Sequence, residues 1–452
     1  MSEAQSRCAR LREGTVSPAS GFVLPISSTN RAVNVISPAP ESLENPYLID
    51  VPDTEPSGDL RLRTFTSFDD ARCVAEGWDD LLEQLDGTIY MSFSWCEVWW
   101  RHYGDGRELR LMTAHSGDEL VAVLPMFIDR LRVPFLGRAR MAKLIGSDLV
   151  EPLVRLEVAP ETFALVFRQL VEEGRADAVH FGPCSGSSPR LDIIRRGAQD
   201  GRAEVRIIRD RESGAPHTAF EMREGFDAYL RGLSTKQRSD YRRRVKRLEE
   251  AFTFEVDVVR DTEQLARELE AFVEMHQAQW TTVGKLGHFG DWPGSLEFAR
   301  DLVATLSRAD QVRMIRLLAD GEVVSYHWCF ALNGTYYWRL PARLVGERWD
   351  RFGLGRVSVM KMMEAASGEG ATAIEAGTGR YEYKEQLNAL TLPVHKITLC
   401  RKRLLSRLRV RFTLAYGDTL NVAYYRIWHL RFAPRIKLLR RPLWRGWVRR
   451  HI

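Results

Sequence analysis

Two segments of the chain share one pattern of hydrophobic and polar positions. Residues 109–127 (LRLMTAHSGDELVAVLPMF) and 312–330 (VRMIRLLADGEVVSYHWCF) align without gaps, and each has an alternating apolar run, a Gly/Asp turn and a second apolar run. Alternation with a period of two predicts strands, and a two-residue turn of Asp/Gly type predicts that they form a hairpin. The pattern therefore predicts two β-hairpins.

The elements around these hairpins are repeated as well. Each hairpin follows helical segments, and each is followed by a loop, further helix and another strand, which are ETFALVFRQLVEEG and RADAVHFGP in one copy and RVSVMKMMEAASGEG and ATAIEAGTG in the other. We therefore predict an α/β (α+β) chain of two tandem modules, each a mixed sheet flanked by helices. The predicted boundaries are 59–210 and 211–400, and the strand PVHKITLCRK closes the second module.

The first 58 residues have a different composition. Residues 1–58 are rich in Ser, Pro and Asn and show neither helical nor alternating periodicity, which predicts a disordered leader. They also lack the apolar core of a secretory signal. Nowhere does the sequence reach the roughly 18 consecutive apolar residues of a membrane-spanning helix. We expect a cytoplasmic protein.

The charge is distributed unevenly. Residues 401–452 hold 15 Lys/Arg against the single Asp418, so 50 of the 65 basic and 59 of the 60 acidic residues precede them. This tail mixes arginines with Leu, Trp, Tyr and Phe, a composition typical of an amphipathic helix on an anionic membrane. RNA would attract the same charges. The predicted partners of the tail are an anionic membrane surface or, as an alternative, nucleic acid.

A second basic segment lies between the two modules. In STKQRSDYRRRVKRLEEAF, Ser234 and Gln237 have the spacing of a helix capping box, and Tyr241, Val245 and Leu248 then fall on one helical face. The other face is dominated by Lys and Arg. Such a face is either simply solvated or binds phosphates of a nucleotide, a lipid or RNA.

The second module resembles a known superfamily. The residues that carry the likeness are YLRGLSTKQRSDYRRRVKRLE, MHQAQW, the Gly353/Gly355 loop-to-helix junction and GTGRYEYKEQLN, in this order along the chain. They resemble the GNAT acyltransferase superfamily, and within it the CelD-type branch of cellulose and exopolysaccharide biosynthesis, which is related to the FemAB peptidoglycan transferases. The likeness covers about 59–400 and is densest over 218–400. It implies that both modules are GNAT-like.

The resemblance also implies a donor and a place for it. In the superfamily the glycine junction receives the pyrophosphate of acyl-CoA, so the expected donor-binding residues are Gly353, Leu354, Gly355 and Arg356. Glycines before a helix let backbone N–H groups converge on an anion. Asp350 stands where the superfamily usually has Gln or Arg, and its carboxylate would repel pyrophosphate. A turn that needs glycine only for its backbone is the alternative.

The segment EAGTGRYEYKEQLN supplies the candidate catalytic residues. Lys384 can stabilise a developing oxyanion or a phosphate, and a Tyr-Lys pair occurs here in the resembled branch. Glu375 and Tyr383 are candidates for proton transfer, although Lys384 can also be a surface lysine and Glu375 can face solvent. The candidates for binding the acceptor are Trp280, His276, Tyr337, Gly377 and Gly379.

The resemblance implies an N-acyltransferase that moves an acyl group from acyl-CoA, acetyl-CoA first, to a small-molecule or sugar-linked amine in polysaccharide or cell-envelope biosynthesis. The alternatives are a FemAB-like transferase that uses aminoacyl-tRNA and a non-catalytic GNAT-fold scaffold at the membrane. The sequence has no metal-spaced His/Glu set and no C-x-x-C pair, so we expect no metal. The expected location is cytoplasmic, with peripheral attachment to the inner membrane face.

Overall fold

The computed structural model describes most of the two predicted modules and much of the tail. The described residues are 60–146, 148–199, 204–213, 215–433, 436 and 441–451. The predicted leader, residues 1–58, lies outside them.

The described residues contain fifteen strands. In chain order they are β1 (Leu60–Phe65), β2 (Glu108–Ser116), β3 (Glu119–Val133), β4 (Gly137–Leu144), β5 (Leu153–Val154), β6 (Ala178–Ser185), β7 (Val205–Glu212), β8 (His217–Glu221), β9 (Phe254–Val259), β10 (Val312–Ala319), β11 (Glu322–Leu332), β12 (Thr335–Arg343), β13 (Ala373–Thr378), β14 (Leu390–Leu392) and β15 (Val394–Arg401).

Helices cover the faces of the sheets. The α-helices of the described residues are α1 (Phe68–Ala71), α2 (Ala75–Gln84), α3 (Phe93–Tyr103), α4 (Ala159–Phe167), α5 (Pro189–Gln199), α6 (Phe226–Gly232), α7 (Thr235–Ala251), α8 (Thr262–Thr282), α9 (Gly287–Asp291), α10 (Ser295–Leu306), α11 (Glu347–Asp350), α12 (Leu354–Gly368), α13 (Glu382–Gln386), α14 (Leu404–Leu420) and α15 (Arg445–His451). A π-helical segment, Asn421–Phe432, continues α14.

The strands form two mixed sheets. The first has the order β1-β2-β3-β4-β6-β15-β7, with β5 paired to β3, and the second has the order β14-β8-β13-β12-β11-β10-β9. Each contains one parallel pair, β4 with β6 in the first sheet and β12 with β13 in the second, among antiparallel neighbours. The predicted fold class, two mixed sheets flanked by helices, is confirmed.

Both predicted hairpins are present. β2 and β3 are joined through Gly117 and Asp118, and β10 and β11 through Asp320 and Gly321. Asp320 and Gly321 have φ values of 52° and 79°. Positive φ at both central residues is what a type I′ turn requires, and its twist matches that of the paired strands. The capping box at Ser234 and Gln237 also forms as predicted and begins α7.

Strand β15 differs from the prediction. It does not close the second module; it lies in the first sheet between β6 and β7, so that prediction is wrong. Its Ile397 and Leu399 are buried in the core that the two halves share. Paired on both sides, the strand satisfies its backbone hydrogen bonds, whereas the three-residue β14 takes the edge position next to β8. The boundary at residue 400 stays a prediction.

The two halves of the chain pack against each other through aromatic side chains. Trp95 of α3 makes edge-to-face contacts with Phe298 of α10 and Phe330 of β11, with ring centroids 6.2 and 5.1 Å apart. These rings belong to one continuous buried cluster that includes residues of both sheets. A site between the halves can therefore be held rigidly.

None of the helices in the described part of the chain combines the length and hydrophobicity needed to cross a membrane.

Candidate active site

The second sheet has an irregularity at the end of its parallel pair. The pairing of β12 with β13 ends at Tyr337 and Glu375, and β13 then shifts register against β8 before Thr378. Gly377 and Gly379 have φ values of 69° and 106°, a region that favours glycine. The backbone therefore leaves the strand here, and the predicted glycines make that possible.

Glu375 is the centre of a buried polar cluster at this point. Its carboxylate accepts hydrogen bonds from Tyr90 Oη at 2.9 Å, His217 Nδ1 at 2.7 Å and the Gly377 N–H at 2.8 Å. Burial raises the pKa of Glu375, but His217 and the other two donors outweigh it, and the net effect is a lowered pKa. Glu375 is thus a buried carboxylate that stays ionised near neutral pH.

His217 connects this carboxylate to a hydroxyl group. His217 and Thr378 are cross-strand partners, and Thr378 Oγ1 lies 3.1 Å from His217 Nε2. In the tautomer that donates from Nδ1 to Glu375, the lone pair is at Nε2, which accepts from the Thr378 hydroxyl. The chain Thr378–His217–Glu375 can move a proton from the hydroxyl to the imidazole. Tyr90, His217 and Thr378 were not among the predicted site residues.

Lys384 lies beside the same cluster but is fully buried. Its Nζ donates to the Ala376 carbonyl at 2.6 Å and to Thr218 Oγ1 at 2.9 Å, and Thr218 in turn donates to the Gly377 carbonyl at 3.0 Å. Burial lowers the pKa of Lys384 to about 7, although Glu375 opposes this shift. Lys384 is therefore not a surface lysine; it fixes the backbone that follows Glu375.

The predicted tyrosines occupy different surroundings. Tyr337 makes an edge-to-face contact with Tyr90 at 5.5 Å and so borders the Glu375 cluster. Tyr383 stacks on Tyr381 at 6.0 Å and packs against the core of the second sheet. Burial raises the pKa of both Tyr337 and Tyr383, which makes both hydroxyls weaker acids.

Gly379 lies at the cluster, whereas two other acceptor-binding candidates do not. The Gly379 N–H donates to the Pro216 carbonyl, next to β8. His276 Nδ1 lies 3.0 Å from the Pro341 carbonyl, and its Nε2 accepts from the His288 N–H at 3.3 Å. Burial lowers the pKa of His276 to about 4. His276, with the neighbouring buried Trp280, therefore holds α8 against the far end of β12.

The glycine junction before α12 is covered by arginines. Gly353 has a φ of 66°, and a Cβ atom built there would lie 2.0 Å from Arg244 Nη1 of α7. A Cβ atom at Gly355 would lie 3.0 Å from Arg343 Nε. The Gly353 N–H is already bonded to the Asp350 carbonyl, and Leu354 is buried in the core. The lack of side chains at Gly353 and Gly355 thus lets these arginines approach the backbone closely, and the positive φ of Gly353 favours glycine there.

The Asp350 carboxylate, which was expected to repel phosphate, has its own partners. Arg343 Nη1 donates to it at 2.9 Å, and the Gly346 N–H donates at 3.3 Å. The arginine compensates the negative charge of Asp350 locally. This removes part of the objection to an anion at the glycine junction.

A basic cleft lies next to this junction. It has a volume of about 820 Å³ and is formed by the start of α7, the start of α12 and the end of α13. The lining residues are Ser234, Lys236, Gln237, Ser239, Asp240, Arg243, Arg244, Arg356 and Gln386. Four of these side chains are cationic, and Asp240, the one carboxylate among them, is paired with Arg243 and Arg244.

Arg356 is the most informative residue of the cleft. Its Nη1 donates to Gln386 Oε1 at 3.1 Å, whereas its Nε and Nη2 atoms are buried and have no hydrogen-bond partner within the described residues. Unpaired guanidinium donors are costly, and a phosphate or carboxylate satisfies them in a bidentate manner. The cleft can therefore accommodate an anionic group. The described residues contain no group of three or more His, Cys, Asp or Glu side chains that could hold a metal ion.

Comparison with known proteins identifies the fold of this region. Residues 235–385, which run from α7 to α13, match the family model described as acetyltransferase (GNAT) domain. The solved structure of FemX has a TM-score of 0.56 at 11% identity, covering 78% of this chain and 99% of that one. The GNAT fold inferred from the sequence is confirmed. The assignment to the CelD-type branch stays a prediction.

Two further structures align over a similar share of the chain. L-PGS from Bacillus licheniformis gives a TM-score of 0.45 at 13% identity, covering 75% of this chain and 94% of that one. A tandem GNAT protein from the clavulanic acid biosynthesis pathway gives 0.38 at 12% identity, covering 75% and 98%. Among curated proteins, none matches the sequence.

Proposed function

We propose that this protein is an N-acyltransferase that moves an acyl group from acyl-CoA to an amine. The observation that carries the proposal is the placement of α13. Gln386 at its end accepts from Arg356 in the basic cleft, and Lys384 one half-turn earlier anchors the backbone beside Glu375. One short helix thus links a site suited to phosphates with a site suited to proton transfer.

The donor is held by charge in this proposal. Arg356 offers two unpaired donors, and Arg244 and Lys236 face the same cleft. The N–H groups of Leu354 and Gly355 lie in the first turn of α12, where the helix itself supplies no acceptor. Together these groups would bind the pyrophosphate or the 3′-phosphate of CoA.

The relay at Glu375 would take the proton of the amine. The amine nitrogen attacks the thioester carbonyl, the C–S bond breaks, and the thiolate leaves. The proton lost by the amine passes through the Thr378 hydroxyl to His217 Nε2, and the resulting imidazolium is stabilised by the Glu375 carboxylate. His217 then returns a proton to the thiolate, which gives free thiol and restores the neutral ring.

The acceptor and the pathway follow from the resemblance described above. We assign the acceptor to small-molecule or sugar-linked amines used in polysaccharide or cell-envelope biosynthesis, with the enzyme on the cytoplasmic side of the membrane.

Aminoacyl-tRNA is a second candidate donor. In the resembled superfamily, the pantetheine of acyl-CoA threads between two splayed strands. The strands in question here are β12 and β13, and Tyr90 covers Tyr337 and Glu375, where their pairing ends. A donor that approaches only from the basic face of α7 would not need to pass between β12 and β13. An ester at the end of a tRNA would bring phosphates to the same cleft.

Thermal-shift titration distinguishes these donors. Acetyl-CoA and longer acyl-CoAs should raise the melting temperature in a concentration-dependent manner, because a ligand that binds only the folded state stabilises it. Arg356→Ala should weaken this shift. If no acyl-CoA stabilises the protein but charged tRNA binds with a steep salt dependence, the second candidate is correct. If neither binds, the protein is a scaffold rather than a transferase.

A further inference from the structure

The β3–β4 hairpin carries an unusual residue at its tip. Phe135 lies in the turn with a φ of 62°, and its side chain is completely exposed, at 107% of the reference area. Arg132 and Arg138, which are cross-strand partners, flank it and are also exposed. Such a side chain points to an interaction site where it belongs to a larger exposed apolar patch.

Helix α14 presents a second apolar surface. Leu405, Leu408, Phe412 and Tyr416 follow one another at intervals of three and four residues, which places them on one face of the helix. All four are exposed, with between 37% and 46% of their area accessible. An apolar stripe of this kind normally faces a protein core. Here it faces outward.

The hairpin tip and α14 are joined. Val410 and Thr413, on the opposite side of α14, are buried, and Val410 packs with residues of β3 and β4. Arg409 Nε donates to the Leu136 carbonyl at 2.7 Å, one residue from Phe135. The tip and the helix therefore form one continuous surface, which we call the hairpin–helix surface: Phe135 with the α14 stripe Leu405, Leu408, Phe412 and Tyr416.

Cations predominate among the exposed charged side chains around the hairpin–helix surface, and Asp177 beneath α14 is buried and bonded to Ser406 and Arg409. Besides the two arginines of the hairpin, Lys402, Arg403 and Arg411 at and near the start of α14 are exposed. The acidic residue of α14 is Asp418, and its carboxylate is taken up by Arg209 and Arg211. The surface thus combines exposed apolar side chains with cations, which matches an interface of acyl chains and anionic headgroups.

We propose that the hairpin–helix surface binds an anionic lipid bilayer, with Phe135 entering the interface between headgroups and acyl chains. A second copy of the chain fits less well, because it would bring the same cations against each other. Nucleic acid would neutralise the cations but leave the Leu and Phe side chains in water. This attachment goes beyond the proposed transferase activity and does not depend on it.

Vesicle sedimentation with the full-length protein tests the proposal. The protein should bind vesicles of phosphatidylcholine with phosphatidylglycerol, bind pure phosphatidylcholine much more weakly, and lose binding as salt rises. Phe135→Ser should lower the partition coefficient about tenfold, the loss expected for one large apolar side chain. The double change Leu408→Ser/Phe412→Ser should lower it further. Val283→Ser, at an apolar residue elsewhere whose exposure of 51% is close to that of Leu408 and Phe412, is the control and should bind like wild type.

Three results would overturn the proposal. The first is equal binding of wild type and Phe135→Ser to the anionic vesicles. The second is a concentration-dependent dimer that the double change abolishes, which would assign the surface to a second copy. The third is tight binding of tRNA together with no binding of vesicles. All altered side chains are exposed, so unchanged melting temperatures would show that a loss of binding does not come from unfolding.

Discussion

Tyr90 donates a hydrogen bond to the carboxylate of Glu375, 285 residues further along the chain, at the end of the parallel pairing of β12 and β13. The first half of the chain therefore completes a site whose other residues come from the second. The sequence within the first module contains no motif that points to this role. A fragment restricted to 211–400 would lack this donor, all of β6 and most of β7, the two strands that pair with β15.

We expect Tyr90→Phe to shift the pH profile. The substitution keeps the ring against Tyr337 but removes one of three donors to Glu375, so the pKa of that carboxyl rises and the acidic limb of kcat/KM moves to higher pH. Activity should fall about tenfold at pH values on that limb. Tyr336→Phe, which removes a hydroxyl bonded to Glu369, serves as the control and should leave the profile in place. If the pH profile of Tyr90→Phe is not shifted, Glu375 takes no part in catalysis.

Substitutions of His217 and Thr378 test the proton relay. His217→Gln should lower kcat by about 10²–10⁴ with little change in KM. It removes the group that accepts the proton of the amine, but it leaves the binding site of the acyl donor intact. Thr378→Val keeps the shape of the side chain but removes the hydroxyl, and it should lower kcat as well, whereas Thr378→Ser should retain most of it. Steady-state kinetics with saturating donor measures both constants. Wild-type kcat in His217→Gln would rule out the relay.

The architecture was predictable because local patterns determine it. The alternation in 109–127 and 312–330, the Asp320–Gly321 turn and the Ser234/Gln237 capping box each depend on neighbouring residues, and each forms as predicted. The sheet that receives β15 could not be predicted in this way. The alternation of apolar residues in β15 determines which of its side chains are buried, but its choice of partner strands depends on packing between residues far apart in the sequence.

The site was predictable only in part, for a related reason. Gly377, Lys384 and Glu375 lie close in sequence, and the structure keeps them together. His217 joins them through the cross-strand pairing of β8 with β13. Tyr90 joins them through contacts between the two halves. Neither relationship leaves a spacing signal in the sequence, and nothing in the periodicity around Lys384 indicated that its ammonium group would be buried.

Removing Arg356 should weaken donor binding specifically. Because a hydrogen bond to a charged group contributes about 1.5–3 kcal/mol, Arg356→Ala should raise the Kd for acyl-CoA by roughly 10- to 100-fold. KM for the donor should rise while kcat at saturation changes little. Arg242→Ala removes an exposed arginine of α7 that does not line the cleft, and it should bind donor as wild type does. Equal losses in both variants would indicate a diffuse effect of charge rather than a phosphate site.

Lys384 should make the free energy of unfolding depend on pH in the alkaline range. Its pKa is about 7 in the folded protein and returns to the ordinary value near 10.5 on unfolding, so between these values the unfolded chain binds more protons. The contribution of Lys384 to stability is therefore least favourable below pH 7 and improves as pH rises, by at most about 1.4 kcal/mol per pH unit. Urea unfolding at pH 7, 8 and 9 should show wild type gaining stability relative to Lys384→Met. Lys246→Met, at an exposed lysine, should run parallel to wild type; a Lys384→Met curve that also runs parallel would mean that this lysine keeps its ordinary pKa in the folded protein.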